Sequence, residues 1–469
     1  MTTYDDAIAA PRVRRKRLYR GSRRDFLIGL LFWGVVLGVG IYWCVIWAQG
    51  GADAPLRWGT STQIFLNIGR ITALLSGYLA LVEVLLLARL PFVERAVGFD
   101  RLTNWHRWNG FAVLWLVLAH VVFSVWGFAR EDFPPTSWTN EYWLMMTNGF
   151  YPGIIIATIG TVLVIAVAVT SLAIARRKLN YEVWYAIHFT AYAGIALAWY
   201  HEIPVGNELT PNVQVIPADI WRATYAATLA LLVWYRLVWP IIQNSRYRMK
   251  VTEVVEEAPG IWSVRIGGRG LERYGARAGQ FFFWRFLAKG FWYTQHPFSI
   301  SEAPKGGSFR ITVKALGDHT AKFGKIKVGT TVLAEGPFGV FTSDTATRPK
   351  VLLIAGGIGI TPVRALLEEF HGDVVTLYRA LTERDLVLSK EIDQLVAEHG
   401  GRVEYIVGDH ATPEGQRLLT PEHLREIVPD VDEREIYACG PPAMLKMIER
   451  TLHRAGLHGP HVHIENFAI

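Results

Sequence analysis

Long runs of apolar residues fill the first half of the chain, and shorter alternating runs fill the second half. Each run in the first half is about as long as a helix that crosses the hydrocarbon core of a bilayer. We therefore predict six transmembrane helices, near residues 25–48, 63–88, 106–128, 151–174, 183–201 and 220–240. The hydrophobic fraction of 51% over 469 residues agrees with a membrane portion that is joined to other domains.

The pattern changes after residue 245. Stretches such as 247–255 and 261–266 alternate apolar with polar residues between glycine-containing turns, which predicts a small antiparallel β-barrel. The apolar run 351–355 then leads through a glycine turn into a helix, the order that is typical of a parallel α/β sheet. We predict a multi-domain protein with an all-α six-helix transmembrane bundle, an antiparallel β-barrel and an α/β parallel-sheet domain. The expected boundaries are 1–24 for a basic arm, 25–245 for the bundle, 246–346 for the barrel and 347–469 for the parallel sheet.

Positive charge is concentrated on one side of the predicted bundle. The formal net charge is +7, and the basic residues lie in the arm, in the 89–107 loop, in the 176–178 turn and after residue 245. By the positive-inside rule, both termini are then cytoplasmic and the protein is a multi-pass protein of the cell membrane. We interpret the basicity as topology and contact with membrane lipid, because no nucleic-acid motif is present. The acids that we assign to the opposite loops are Glu131, Asp132, Glu202, Glu208 and Asp219.

Four histidines lie in the apolar half, His106 and His120 on the third predicted helix and His188 and His201 on the fifth. Ionisable side chains inside a membrane are costly, so they mark candidate functional sites. The first two are separated by a rise of about 21 Å and lie within roughly 40° of one helix face. The second two lie roughly 140° apart on an ideal helix. We therefore expect a local distortion between them, or a loosened last turn before Pro204.

Matched histidine pairs on two helices of the same direction predict bis-histidine ligation of two stacked b-type haems. His106 and His188 would meet near the cytoplasmic surface, and His120 and His201 would meet near the outer surface. The alternative interpretation is four buried histidines that bond to helix carbonyls. Arg70, on the second predicted helix, is a candidate for holding an outer haem propionate, with snorkelling to the interface as its alternative.

The predicted barrel contains residues that suit a flavin. Phe298 can cover a ring system while the Ser299 hydroxyl donates to a ring nitrogen, although a plain strand would have the same pattern. The stretch that begins at Lys314 predicts a strand, a glycine turn and a helix start, where backbone amides and Thr320 suit a phosphate. The full motif around the aromatic residue is His296-Pro297-Phe298-Ser299.

Two motifs lie at the carboxyl edge of the predicted parallel sheet, where ligands of such sheets bind. The glycines of the first let the backbone approach a pyrophosphate, Thr361 can cap the helix and bind the phosphate, and Pro362 suits the first helical position. The second places the Cys439 thiol at the same edge. An ordinary strand–helix link and a buried structural thiol are the alternatives. The motifs are Gly356-Gly357-Ile358-Gly359-Ile360-Thr361-Pro362 and Cys439-Gly440-Pro441-Pro442.

In combination these motifs give the chain a resemblance to known proteins. The soluble half resembles the ferredoxin–NADP reductase superfamily, and the whole chain resembles the NADPH oxidase and ferric reductase family of transmembrane flavocytochromes b. The resemblance implies an inner haem between His106 and His188 and an outer haem between His120 and His201. The family shares the thirteen-residue spacing of the second pair.

The resemblance also implies roles in binding FAD and NAD(P)H. Thr320 would lie at the FAD phosphates, Cys439 would face the nicotinamide, and Phe467 would shield the flavin until the nicotinamide displaces it. The predicted catalytic residues are Ser299, Cys439 and Phe467. The other residues assigned to cofactors are His296, Pro297, Phe298, Lys314, Gly356, Gly357, Gly359, Thr361 and Gly440.

Three departures from the family pattern refine these expectations. Soluble relatives place an arginine before Thr382, where this chain has Leu381, but the flanking Arg379 and Arg384 suit a 2′-phosphate. We therefore expect NADPH, with NADH as the alternative. Ser124 occupies the place of another outer histidine of eukaryotic oxidases, which argues against an outer site specialised for oxygen. The sequence has no calcium-binding loop or SH3-type module, so we expect constitutive activity and no obligatory protein partner.

We accordingly predict a transmembrane oxidoreductase that passes electrons from cytoplasmic NADPH, through FAD and two haems, to an extracytoplasmic acceptor. The preferred acceptor is O2, which would yield superoxide. A ferric or cupric reductase of the same architecture is one alternative. Another is a membrane-anchored flavin reductase with a cytoplasmic acceptor, and a haem-carrying scaffold is the non-enzymatic alternative. Only two cysteines occur, Cys44 and Cys439, so no disulfide framework is expected.

Overall fold

The computed structural model describes residues 23–49, 61–131, 136–148, 152–172, 179, 181–205, 209, 215–317, 319–409, 412, 420–457 and 459–466. Most of the predicted basic arm, the 176–178 turn and Phe467 lie outside these residues. The chain divides into two compact units, one that runs from Leu27 to Ile242 and one that contains the residues from Gln243 onward.

The first unit is helical in its described residues. The long helices are α1 Arg23–Ala48, α2 Ser61–Leu86, α4 Phe99–Glu131, α6 Ile154–Ser171, α7 Tyr181–Val205 and α8 Val215–Val233. The shorter ones are α3 Pro91–Val97 and α5 Trp138–Thr147. A π-helical turn, Trp234–Val238, joins α8 to α9, Trp239–Tyr247.

Five helices in the described residues are long and apolar enough to cross a membrane. They are Leu27–Ala48, Thr62–Leu86, Arg101–Arg130, Ile154–Ser171 and Val215–Tyr247. The sixth predicted span, 183–201, forms part of α7, which has 25 residues but is not among these five. Its histidines, tyrosines and tryptophans are less apolar than the aliphatic side chains of α6, which explains the difference.

Helix α7 corrects two expectations. It is continuous from Tyr181 to Val205, so no distortion separates His188 from His201, and Pro204 lies within its last turn. Because proline lacks an N–H group, this turn has one helical hydrogen bond fewer, in agreement with the alternative of a loosened end. Glu202, which we assigned to a loop, therefore lies inside the helix, where its carboxylate accepts hydrogen bonds from Trp221 and Tyr225.

The histidine-bearing helices pack mainly in two separate pairs, α4 along α2 and α7 along α6. Gly160 of α6 and Gly194 of α7 allow the second pair to approach closely. A Cβ atom added at Gly160 would lie 3.0 Å from the Gly194 carbonyl oxygen. Direct packing of α4 against α7 is sparse in the described chain, so that space remains between the two helices that carry the histidines.

Six antiparallel strands form the first part of the second unit. Two sheets have the strand orders β1-β2-β5 and β4-β3-β6. Single bridges between Lys250 and Thr331 and between Ile300 and Ile311 join the sheets at both edges, around one apolar core. The strands are β1 Lys250–Ala258, β2 Ile261–Gly267, β3 Phe281–Phe286, β4 His296–Ser299, β5 Ser308–Lys314 and β6 Val332–Phe338.

The rest of the second unit is a parallel five-stranded sheet with the order β11-β10-β7-β8-β9. Its buried strands pack under helices on both faces, α10 and α11 on one and α12 and α13 on the other. The strands are β7 Val351–Gly356, β8 Val374–Ala380, β9 Arg402–Val407, β10 Glu435–Gly440 and β11 Val462–Asn466. The helices are α10 Ile360–Leu367, α11 Ser389–His399, α12 Pro421–Ile427 and α13 Pro442–Arg454.

Candidate functional site

The structure brings the rings of His106 in α4 and His188 in α7 next to each other. Their ring centroids lie 6.0 Å apart, with an angle of 53° between the ring planes. Two metal–imidazole bonds of about 2 Å, each with roughly 1 Å more to the ring centre, also separate the centroids by about 6 Å. The spacing therefore fits one iron atom between the two rings.

The Nδ1 atoms of both rings are already engaged. His106 Nδ1 lies 2.9 Å from Glu83 Oε1 and 3.2 Å from the Glu83 carbonyl oxygen. His188 Nδ1 lies 3.3 Å from the hydroxyl of Ser171, which also accepts from the Trp184 indole at 3.4 Å. Metal-binding histidines usually use one ring nitrogen for the metal and the other for such a partner. In this arrangement, Nε2 is the ring nitrogen with which each histidine would bind a metal.

Glu83 is a site residue whose partner the sequence did not reveal: an arginine near the inner haem was the expected partner, and the structure places His106 there. Besides its contact with His106, it accepts a hydrogen bond from Asn109 Nδ2 at 2.7 Å. A Cβ atom at Gly110 would lie 2.9 Å from Glu83 Oε1, so this glycine leaves room for the carboxylate. The sequence signal was a lone acid in an apolar helix, and its partner depends on how α2 and α4 face each other.

The outer pair is held by neutral groups. His120 Nδ1 lies 2.9 Å from the Gly69 carbonyl oxygen and 3.2 Å from the Ser124 hydroxyl. His201 Nδ1 is buried and lies beside Gly153. One outer histidine thus lies on α4 and the other on α7.

Arg70 is the residue after Gly69, whose carbonyl oxygen contacts His120. Its Nη1 lies 3.5 Å from the Asn67 side-chain oxygen, one turn earlier in α2. The guanidinium is therefore half-buried within the helical unit. Its predicted role at a haem propionate stays a prediction.

Aromatic rings surround the flavin motif in β4. This strand pairs with β3, and the Trp284 indole donates to the Phe298 carbonyl at 3.0 Å. The His296 ring stacks on Phe298, with centroids 5.9 Å apart, and contacts His319 at 4.3 Å. The Ser299 hydroxyl is buried and has no hydrogen-bond partner among the described residues. A buried hydroxyl of this kind is costly unless a ligand engages it, which fits a flavin here.

His319 is a second residue that the sequence did not single out. Its Nε2 lies 2.7 Å from the Thr294 hydroxyl, and its ring also contacts Phe291 at 4.7 Å. The aspartate–histidine–threonine run after β5 was the available signal. His319 therefore extends the aromatic surface beside His296.

Thr320 and Lys314 shape the loop after β5. The Thr320 hydroxyl accepts from the amides of Leu316 and Gly317 at 2.9 and 3.1 Å, which fixes the turn that we expected to bind phosphate. The Lys314 ammonium lies 3.5 Å from Asp385, beyond the end of β8. The Thr382 hydroxyl and the Lys314 ammonium lower the pKa of Asp385.

The two loop motifs of the parallel sheet meet at its carboxyl edge. Gly359 packs on the backbone of Cys439 and Gly440, where an added Cβ would lie 2.6 Å from backbone carbon atoms. Gly356 packs in the same way against Met444. Gly357 has a φ of +51° and open space where a Cβ would point. The loop is thus closely packed on one side and open on the other, as a pyrophosphate would require.

The structure also gives the places of the remaining motif residues. Thr361 is buried and donates to the Ile358 carbonyl at 3.1 Å, which caps the turn. Pro362 is the third residue of α10, because the helix begins at Ile360. Cys439 is 0% exposed and lies in the apolar core beneath the loop. The predicted nicotinamide role of Cys439 stays a prediction, and Phe467 follows directly after the end of β11.

The two arginines expected at a 2′-phosphate lie at this edge. Arg379 is in register with Gly356, and its Nη2 donates to the Gly408 carbonyl at 3.3 Å. Burial lowers the pKa of Arg379, and its Nη1 has no hydrogen-bond partner among the described residues. Arg384 is exposed in a turn that Thr382 and Asp385 hold as a capping box.

An ion-pair cluster joins the barrel to the parallel sheet. Arg310 of β5 donates twice to Glu391 of α11, at 2.8 Å each, and to the Ser301 carbonyl at 3.1 Å. Arg364 of α10 contacts the same carboxylate at 2.8 Å. Burial raises the pKa of Glu391, but the two arginines outweigh this effect and lower it. Because α10 follows the glycine loop, the cluster fixes that loop relative to the barrel.

Comparisons with known proteins agree with both halves of the site. Residues 72–199 match the ferric reductase like transmembrane component, and residues 353–450 match the oxidoreductase NAD-binding domain. A glycine betaine monooxygenase reductase subunit from Chromohalobacter salexigens is 29% identical over 185 residues, which are 36% of this chain and 50% of that protein. An NADPH oxidoreductase from Mycobacterium tuberculosis is 32% identical over 184 residues, which are 37% of this chain and 47% of that protein.

The chain spans about half the length of these curated relatives. A solved ferredoxin NADP+ reductase from Neisseria gonorrhoeae, with bound FAD and NADP, aligns with 47% of this chain and 99% of its own at 20% identity and a TM-score of 0.40. The chain thus joins a part that matches the ferric reductase like transmembrane component to a part that matches the oxidoreductase NAD-binding domain, a combination consistent with the NADPH oxidase and ferric reductase family.

Proposed function

We propose that this chain transfers electrons across the membrane, from cytoplasmic NADPH through FAD and two b-type haems to an acceptor on the other side. The observation that carries the proposal is the inner histidine pair. His106 and His188 face each other at 6.0 Å with both Nδ1 atoms engaged, on helices that match a ferric reductase component. The coarser function, an oxidoreductase with a membrane domain, has the support of both matched families.

The chain's own residues bind and orient the redox groups. His106 with His188, and His120 with His201, would hold the two irons from α4 and α7. The stacked rings of His296 and Phe298 would cover the flavin, and Ser299 would donate to it. The chemistry that bound FAD would supply is the conversion of a hydride from NADPH into single electrons, which haem iron requires.

The carboxyl edge of the parallel sheet would orient NADPH. The open side of Gly357 admits the pyrophosphate, and the amino end of α10 favours its negative charge. Arg384, exposed on its capped turn, and the unpartnered Nη1 of Arg379 are suited to a 2′-phosphate. Cys439 and Phe467 would lie next to the nicotinamide and the flavin.

The acceptor that we propose first is O2, with superoxide as the product. Ferric or cupric chelates are the second candidate, and the position of Ser124 favours them. Its hydroxyl lies 3.2 Å from His120 Nδ1 and thus serves the ligand ring, where eukaryotic oxidases place a further histidine. External superoxide and Fe(II) formation, measured in one purified preparation, distinguish the two acceptors.

Absorbance spectra of the purified protein after addition of NADPH test the proposed path. We expect split low-spin b-type bands that reoxidise when an acceptor is added. His120→Ala and His201→Ala should remove the outer haem and the reduction of external acceptor, while NADPH still reduces the flavin. His371→Ala, an exposed histidine of the parallel-sheet domain, is the matched control. Unchanged turnover in both outer variants would instead identify a membrane-anchored flavin reductase.

The proposed orientation has both termini in the cytoplasm. It follows from the basic loops of the sequence and the positive-inside rule. Protease or label accessibility at the two ends of the chain in sealed cells tests it. Labelling of either terminus from outside would contradict the proposed direction of electron transfer.

A further inference from the structure

The partners of the two histidine pairs differ in charge. At the inner pair, a carboxylate oxygen of Glu83 lies 2.9 Å from His106 Nδ1. At the outer pair, the partners of His120 Nδ1 among the described residues are a carbonyl oxygen and a hydroxyl. Each pair has one histidine on α4 and one on α7. The difference thus concerns the charge beside the ligand rather than the ligand itself.

Several contacts hold Glu83 in this position. Its second carboxylate oxygen accepts from Asn109 at 2.7 Å, and Asn109 is also anchored to the Leu79 carbonyl at 2.9 Å. Gly110, one turn after His106, leaves space in which a side chain would meet the carboxylate at 2.9 Å. Two helices therefore contribute to one acidic hydrogen-bond acceptor for His106.

We infer that Glu83 is a positioning residue that lowers the reduction potential of the inner haem relative to the outer one. The inference rests on the proposed function, because it requires iron at His106 Nε2. With iron there, Nδ1 would keep its hydrogen and donate a hydrogen bond to the carboxylate. Such a bond makes the imidazole a stronger donor to the metal, and a nearby negative charge favours the ferric form. Low dielectric around the helices makes this effect larger than in water.

A lower inner potential has a direct consequence for function. An electron that arrives at the inner haem is then less stable there than at the outer haem, so that transfer outward is downhill. Arg70, which follows the Gly69 partner of His120 in α2, adds positive charge on the outer side. The two charges favour the same direction.

Potentiometric titration of haem absorbance, on the full-length protein in lipid nanodiscs, tests the inference. For Glu83→Gln we expect the lower-potential component to become easier to reduce by about tenfold, or about 59 mV for a one-electron couple. The higher-potential component should not move. Glu182→Gln removes an exposed carboxylate near the start of α7 and should leave both components in place.

Gly110→Ala provides a second measurement that keeps the Glu83 charge. Its added methyl group would push the carboxylate away from His106, so we expect a smaller shift in the same direction. If Glu83→Gln loses the inner haem, the midpoints of Gly110→Ala decide whether Glu83 lowers the inner potential. Retention of both haems with unchanged midpoints in the deciding variant overturns the inference. A wild-type protein without two b-type haems, recognised from its pigment content before any substitution, overturns the proposed function itself.

Discussion

Gly359 provides the sharpest test of how the nucleotide-binding edge is built. Gly359 lies where the backbone of the glycine loop packs directly on the backbone at the end of β10. In Gly359→Ala, the new Cβ would lie 2.6 Å from both the Cys439 carbonyl carbon and the Gly440 Cα. These are backbone atoms, which cannot move aside as the end of a flexible side chain can. The loop must therefore shift away from Cys439.

The expected cost follows from this crowding. Forcing one extra carbon into a closely packed site costs about 1–3 kcal/mol. In the variant, the loop would return to its wild-type position only on binding nucleotide. The crowding energy would then be lost from the free energy of binding, and NADPH affinity would fall by roughly 5-fold to 150-fold. FAD should be retained, since its predicted contacts lie in β4 and in the loop after β5. The temperature at which FAD is released should fall as well, because Gly359 also packs in the core.

Two measurements on the full-length protein check this prediction. The rate of flavin reduction against NADPH concentration gives the affinity, and the fluorescence of released FAD on heating gives the stability. Gly38→Ala is the matched control, because an added methyl there meets nothing within 4 Å. A Gly359→Ala protein with wild-type NADPH dependence and wild-type FAD release would refute the packing explanation.

Three further outcomes are expected. Burial raises the pKa of Glu435, but hydrogen bonds from His463 and Thr347 outweigh it and lower the pKa from 4.5 to about 2. The stability that the Glu435 carboxylate gives the folded protein should therefore be complete above pH 4.5 and lost as the pH falls toward 2. On heating, Glu435→Gln should release FAD at a lower temperature than wild type at pH 6, but not near pH 2. Arg310→Met removes two charged hydrogen bonds to Glu391, which keeps Arg364 as its partner, and should lower the free energy of unfolding by about 1.5–3 kcal/mol. Denaturant titration measures this, and an unchanged midpoint would contradict it. NADPH added to inside-out vesicles should make the vesicle lumen electrically negative, as a potential-sensitive dye would report, because electron transfer from the cytoplasmic face moves negative charge into the lumen.

Much of the fold was predictable because its signals are local. The apolar runs give the positions of the long helices, and the strand–glycine–helix order gives the parallel sheet. The meeting of the glycine loop with Cys439 was also predictable, since the carboxyl ends of parallel strands share one edge. The pairing of His106 with His188 followed in the same way from two helices of equal direction.

What the sequence could not give depends on how the elements face each other. Glu83 and His106 are 23 residues apart on different helices, and their contact depends on the rotation of α2 against α4. The continuous course of α7 through Pro204 is also a matter of packing, because proline on its own favours a helix end. The ion pair of Arg310 with Glu391 joins residues 81 positions apart, which no local pattern indicates.

The hydrogen bonds of three of the histidines link the helices around the two candidate haem sites. His106 and His120 each bond from α4 to α2, and His188 bonds from α7 to α6. The same bonds that satisfy Nδ1 therefore also link the helices of each packed pair. In a membrane, a broken bond of this kind has no water to replace it, so these bonds favour one orientation of each of the three rings. A ligand set that does not rearrange suits electron transfer, because little reorganisation then accompanies each change of charge.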